Sequence, residues 1–508
     1  MRNAIRFTAL LIALCLALSG CVLGEREPEA VNEIRLPEAP QEGENMILGE
    51  MLMNGLNEVV LYYPAPDGTS FSTVRRGVRS EAGQSLHEAA LNALFEGSGG
   101  QSVRFPGDVK TLSCEYACGT ATVNLSIDAR NVQNPQELLA LELAIGNTLL
   151  SIEGTRGVNV LIGQLSEGFW QLPLGVMTAP VASATADYAQ IQAERERSTQ
   201  PEGDPIERWA LLYFPTDAGE WLVPELRPIS ARSGGFIRAL IEALKQGPMD
   251  EACAIAALPE GVDLMDEAPA IQTLSTGERV LDLNFSSTLA NYMAFSGLEV
   301  WELAGSLALT MCSFLPELDA VRVMVNGEAI TMCELDGSIV RFPDGLIHRE
   351  DFSVKIGSTT TLYLVNDASQ LEPVRRAVSM RSALSPRSLL TELLRYAGKQ
   401  DGPRFPLSGG VYPEDFLGVQ ASGGIARVNL SGGFYRACQA LEEPLERALV
   451  YSMINTLCQL NGIRAVRFYV EGRPADTLAG TVYLKSVLLP NPGIVAAQPS
   501  GDAAAPGT

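Results

Sequence analysis

A strand, a long amphipathic helix and a second strand recur three times along the 508 residues, and nothing else restricts the fold as much. The clearest copy opens with Ala426-Arg427-Val428-Asn429-Leu430-Ser431, which alternates as a strand does. Pro444 then starts a helix whose Leu445, Ala448, Leu449, Ser452, Met453, Thr456, Leu457 and Leu460 fall on one stripe. Asn461-Gly462 stops it, and Ala465 to Val470 forms the second strand before Glu471-Gly472. Laid over that stripe, the first copy reads Glu137, Ala140, Leu141, Ala144, Ile145, Thr148, Leu149, Ile152. The middle copy reads Glu299, Glu302, Leu303, Ser306, Leu307, Thr310, Met311, Phe314. A threonine thus recurs at one helical position, as Thr148, Thr310 and Thr456.

Each copy is preceded by further recurrences. The first is an apolar-aromatic strand: Val59 to Tyr63, Ala210 to Phe214 and Thr360 to Leu364. About a dozen residues later come Arg76-Gly77-Val78, Arg227-Pro228-Ile229 and Arg376-Ala377-Val378. A shorter helix follows, capped by Ser85 and Gly97 in the first copy and opened by Ser385-Pro386 in the third. In the second copy it runs from Phe236 to Lys245 and stops at Gly247-Pro248. Two strands then turn around Cys118-Gly119, Gly277-Glu278 and Gly423-Gly424. Each unit therefore reads β-(β)-α-β-β-α-β over about 110 residues, near the usual domain size. The expected class is α+β: three tandem two-layer sandwich repeats, with two helices on one face of a small mixed sheet.

The expected division is a lipoprotein signal peptide at 1–20, an acidic Pro-rich tether at 21–54, and units at 55–178, 205–330 and 356–489. Linkers are expected at 179–204 and 331–355, with a disordered tail at 490–508. The N-terminal reading rests on Arg2 and Arg6 beside an apolar run, Phe7 to Leu18, that is too short to span a bilayer. Leu18-Ser19-Gly20-Cys21 then matches a lipobox, which makes Cys21 the lipidation site. The mature chain is expected on the extracytoplasmic face of the cell membrane, held by that lipid alone. A coiled tether of this length has a typical reach of about 30 Å and a maximum of about 100 Å.

A formal charge of −23 argues against nucleic acid and against adhesion to anionic lipid. Apolar residues at 46% suffice for several cores. Of nine cysteines, Cys15 leaves with the signal peptide and Cys21 is lipidated; the odd remainder argues against a complete disulfide framework. Cys312 and Cys458 occupy equivalent helical positions and read as small core hydrophobes. Cys114 and Cys118 could bridge across a hairpin end or form half a metal site, but no second pair accompanies them.

The order of these elements resembles the GerMN domain family of sporulation and germination lipoproteins. The matches that carry the resemblance are Ala243-Leu244-Lys245-Gln246-Gly247-Pro248, Val428-Asn429-Leu430-Ser431, Ile454-Asn455-Thr456-Leu457 and Val466 to Gly472. Departures are Gly97-Ser98 in place of Gly-Pro, and a middle copy with Asp282-Leu283-Asn284 and no Asn in the N-T-L position. The resemblance implies an envelope protein acting through contacts with other envelope or sporulation proteins.

No catalytic residue, metal ligand or cofactor-binding motif emerges. The two histidines, His87 and His348, lie in different units, and no nucleophile elbow, phosphate loop, zinc-protease motif or dinucleotide fingerprint occurs. The recurrent Asn124, Asn429 and Asp282 are read as polar-face residues bonding nearby loop backbone. The recurrent threonines are read as bonding the carbonyl one helical turn back. The function expected is a non-enzymatic, lipid-anchored scaffold. The alternative is a solute or cell-wall-fragment receptor, which a deep apolar pocket between units would favour.

Overall fold

The computed structural model describes residues 49–51, 57–65, 70–80, 84–97, 109–126, 135–162, 175–184, 189–193 and 204–497, apart from 233, 267, 268, 270, 316, 317, 397–401, 408 and 409. The signal peptide, Cys21, most of the tether and the last eleven residues lie outside that set.

A short strand, β1 (Gly49–Met51), precedes the first unit. That unit comprises the hairpin β2 (Asn57–Pro64) and β3 (Phe71–Val78), α1 (Leu86–Glu96), β4 (Thr111–Ala117), β5 (Thr120–Leu125), α2 (Pro135–Leu150) and β6 (Gly157–Ile162). The second contains β7 (Ile206–Pro215), β8 (Leu222–Ala231), α3 (Phe236–Gln246), β9 (Ile271–Thr273), β10 (Arg279–Phe285), α4 (Thr288–Ser296), α5 (Val300–Phe314) and β11 (Ala320–Val325). Next come β12 (Glu328–Ala329), β13 (Met332–Leu335), β14 (Ser338–Arg341) and β15 (Ile347–His348). The third unit has β16 (Gly357–Val365), β17 (Leu371–Ser379), α6 (Met380–Leu384), α7 (Pro386–Arg395), β18 (Phe416–Ser422) and β19 (Ile425–Leu430). It closes with α8 (Gly432–Cys438), α9 (Glu443–Leu457), β20 (Ala465–Val470) and β21 (Arg473–Pro474).

The α+β class holds in all three units. Within each, the strands divide into a two-stranded hairpin and a mixed sheet, such as β4-β5-β6, in which β5 and β6 run parallel. The long helix lies against both. Its apolar stripe is what the sequence placed there: Leu449, Met453 and Leu457 are fully buried in the third unit. Pro444 in the first turn, Glu443 and Glu446 near the positive end of the helix dipole, and Gly462 (φ +84°) after the last turn define α9. Ser85 and Ser385 cap α1 and α7 by accepting from the N–H groups of Glu88 (3.1 Å) and Ser388 (3.0 Å). Cys118 (φ 49°) and Gly119 (φ 80°) supply the two left-handed residues that a tight β4–β5 turn requires.

Four expectations are corrected. Residues 331–355 are no loose linker: they fold as the β13–β14 hairpin and a 3-10 segment, Arg349–Lys355, with Cys333, Phe342 and Phe352 buried in the second unit's core. Ala184 and Ile191 of the 179–204 stretch are buried in the first unit's core. At the C-terminus the chain folds back before residue 498, the N–H of Ala496 donating to the Leu371 carbonyl (2.7 Å). From the tether, β1 pairs in parallel with β18, Gly49 opposite Gly418.

Candidate interaction surfaces and the inter-unit cleft

The recurrent residues turn out to be clamps. Thr148, Thr310 and Thr456 each accept, on Oγ1, a hydrogen bond from the backbone N–H of the first strand: Tyr62 (3.0 Å), Tyr213 (3.1 Å) and Tyr363 (3.0 Å). That bond crosses from helix to hairpin, correcting the expected bond to the preceding helical turn. In the first and third units the neighbouring asparagine clamps the chain after it leaves the unit. Asn147 bonds both backbone groups of Val181 (2.8 Å each), and Asn455 bonds those of Asn491 (3.3 and 3.0 Å). In the second unit Leu309 stands at that position.

Asn429 accepts from the Gly472 N–H (2.8 Å), locking the turn after the last strand, as the sequence suggested. Its counterpart in the second unit is Asn284, which accepts from Gly327 (2.9 Å), and not Asp282. Asp282 pairs with Arg322 (3.1 Å) instead. Asn124, one residue before Leu125, sits opposite Leu161. Two of the three recurrent arginines cap the short helices, while Arg376 lies 3.7 Å from Glu392 on α7. Arg76 reaches the Ala93 carbonyl (3.1 Å), and Arg227 reaches the carbonyls of Ala243 (3.3 Å) and Gly247 (2.8 Å).

No described group of three or more His, Cys, Asp and Glu residues could hold a metal. Cys114 and Cys118 are free thiols, the first on a strand and the second in the turn, and burial pushes the Cys114 thiol pKa up. Cys312 is buried in the second unit's core, and Cys458 packs against that of the third. His87 is buried; its Nε2 lies 2.8 Å from Thr155 Oγ1, and its ring stacks on Tyr116 at 4.0 Å. Burial holds its pKa down to about 4, so it is neutral at ordinary pH. Side-chain contacts with Asp351 and then Glu278 raise the pKa of His348 against the opposing effect of burial.

The three units pack against one another. Arg349, from the segment between the second and third units, inserts into the first. Its Nη1 donates to Glu115 Oε1 (3.0 Å), Nη2 bonds Oε2, and Nε contacts Ser313 Oγ (3.3 Å). Both charged side chains are buried, so each neutralises what would otherwise be an expensive desolvated charge. Close by, Asn159 donates to the Ser313 carbonyl (2.7 Å). The N–H of Cys118 donates to Ser358 Oγ (3.0 Å), joining the first and third units, and Asp250 pairs with Arg375 (2.8 Å), joining the second and third.

A cleft of about 1480 Å³ separates the first and third units, and corresponding parts of the two units face each other across it. These are the starts of β2 and β16, the N-termini of α1 and α7, and the turns after α2 and α9. Asn461 from one turn donates to the Glu153 carbonyl of the other (2.8 Å). Hydroxyl and amide side chains outnumber charged ones along its walls.

On the second unit, α4 lies outside the β-(β)-α-β-β-α-β order. The stretch from Phe285 to Leu298 carries no charged residue, and among the side chains of α4 only Leu289 is buried. Phe295 is 90% exposed and Met265, beside the base of α4, is 54% exposed. Exposed Asp263 and Asp266 lie on the segment that bonds Asn284 and Ser286 just before α4, where Asp263 pairs with Lys245 (2.9 Å), and exposed Glu299 follows the helix. No described helix is long and apolar enough to cross a membrane.

Among solved structures, the tandem GerMN domains of the sporulation protein GerM from Bacillus subtilis match at 16% identity, covering 58% of this chain and all of that one, with a TM-score of 0.25. The first GerMN domain of the same protein matches at 20% identity, over 28% of this chain and 98% of that one (TM-score 0.21). A putative lipoprotein from Clostridium perfringens matches at 14% identity, over 29% and 95% (TM-score 0.16). No curated protein matches the chain in sequence. The family described as "Germane: Sporulation and spore germination" matches three times, over residues 60–164, 211–331 and 361–476. The chain, with its three clamped repeats, belongs to the Germane family of sporulation and spore germination proteins.

Proposed function

We propose that this protein is a lipid-anchored scaffold of the cell envelope, held at the outer face of the membrane through Cys21, and that it acts in sporulation or germination by binding other proteins rather than by turnover. The observation that carries this reading is α4. An apolar, uncharged stretch with a solvent-facing phenylalanine has the composition of a protein-binding patch. An exposed aromatic at the centre of such a patch is the kind of residue that dominates binding energy. The net charge of −23 favours partners with basic surfaces and makes their association rate fall with salt. The receptor alternative asks for a deep apolar pocket between units, whereas the cleft between the first and third units is open, with polar and apolar surface in nearly equal share.

Phe295→Asp tests the proposal. Capture of partner proteins from envelopes of sporulating cells is expected with the wild type, to weaken as salt is raised, and to be lost with the variant. Equal capture by both proteins at low salt refutes the assignment of α4.

A further inference from the structure

We propose that the cleft between the first and third units takes an extended segment of a partner protein, added as a strand along the outer edge of β16 at Thr359–Thr361. This deepens, and rests on, the reading that the chain works through protein contacts.

The argument begins with hairpin parity. In an antiparallel pair, residues alternate between exchanging both backbone bonds with the partner and pointing both groups away from it. Tyr363 lies opposite Pro373, which has no N–H, and both of its backbone groups are taken from the outer side, by Thr456 and Ser452. Thr361 and Thr359, two and four residues earlier, therefore also present N–H and C=O outward. Among the described residues the outward backbone groups of Thr361 have no partner, and both threonines line the cleft.

The second unit shows what such an edge accepts. Tyr213 makes the same bond to Thr310 that Tyr363 makes to Thr456, so Trp209 corresponds to Thr359 and Leu211 to Thr361. At Trp209 the edge is filled. The N–H of Val176 donates to the Trp209 carbonyl (2.7 Å), and Met177 exchanges two bonds of 2.8 Å with Val158 on β6. An extended piece of chain thus sits between two units on the very edge that β16 leaves open.

Size and charge define the occupant. A volume of about 1480 Å³ exceeds the roughly 300–1,000 Å³ of small-molecule pockets. Arg156, Arg375 and Arg381 are balanced by Glu58, Glu88 and Glu153, so the walls favour neither a polyanion nor a polycation. Together with the hydroxyl and amide lining, this fits a polar segment of low charge, held mainly by main-chain bonds. Gly49–Met51 of this chain pairs with β18 and not with this edge.

The test is panning of the purified full-length chain against a phage-displayed library of random ten-residue peptides. Thr361→Pro removes the outward N–H without touching a ladder bond, because Thr361 and Arg375 exchange none. Thr361→Arg, which obstructs the cleft beside this edge and spares the backbone, serves if the proline variant melts early. Selected peptides are expected to lose at least tenfold in affinity with either variant and none with Phe295→Asp. Panning that yields no peptide dependent on position 361 overturns the inference. Envelope partners lost on Phe295→Asp would then leave the scaffold reading standing alone. Conversely, peptides dependent on Thr361, with partners indifferent to Phe295, would remove α4 and keep the cleft.

Discussion

Thr310 holds Tyr213 by a single hydrogen bond, from the strand's backbone N–H to the helix hydroxyl, and the same bond recurs in both other units. Thr310 is fully buried, so the Tyr213 N–H has no access to water if the hydroxyl is removed. Thr310→Val should cost about 1–3 kcal/mol, the usual penalty for leaving a buried donor unsatisfied. Thr310→Ser should retain most of the stability. Chemical denaturation of the three proteins checks this, and equal losses for Val and Ser would show that the methyl group matters rather than the bond.

Arg349 and Glu115 form the buried ion pair between units. Arg349→Met strands the carboxylate in a low-dielectric interior and should destabilise by about 3–5 kcal/mol. Adding Glu115→Gln should recover most of that loss. Proteolytic sensitivity of residues 331–355 provides a second readout, expected to rise sharply in the single variant only.

The two histidines should shape the pH profile in opposite directions. His87 resists protonation when folded, with a pKa of about 4 against about 6.5 unfolded. The unfolded chain therefore binds the extra proton, and stability falls as pH drops through that window, by about 3 kcal/mol. His348, whose pKa is raised, contributes stability that is complete below its unfolded value of about 6.5 and is lost as pH rises through the folded value. Unfolding midpoints across this range should flatten on the acid side for His87→Gln and on the neutral side for His348→Gln.

Cys21→Ala should move the protein from the membrane to the soluble fraction without changing its melting temperature. A variant still membrane-bound after normal cleavage would exclude the lipid anchor.

Period and punctuation made much of the fold legible. The helical stripe, the Gly and Pro stops and the alternating strands located the main elements of each unit. Partners far apart in sequence were another matter. Asp282 and Asn284 stand two residues apart on one face of a strand, so alternation alone fits either to the position of Asn429; only the contact with Gly327 distinguishes them. The strands of 331–355 are too short for any period to show, and their Asp and Gly turns read as a linker. Threonine in a helix carries no mark of whether its hydroxyl bonds its own helix or a neighbouring strand. The apolar stretch of α4 is not legible as a surface, because an exposed hydrophobic helix has the same letters as a buried one.

Glu115 precedes Arg349 by 234 residues. At about 5–20 residues per second of synthesis, the wait for the arginine is on the order of ten to fifty seconds. The Asn147–Val181 clamp, spanning only 34 residues, closes early in that interval. A nascent first unit can therefore fasten its own exit while it still carries a carboxylate whose counter-charge has not yet been made. Its last step of maturation waits until about two thirds of the chain has been made, when the segment after the second unit delivers the guanidinium.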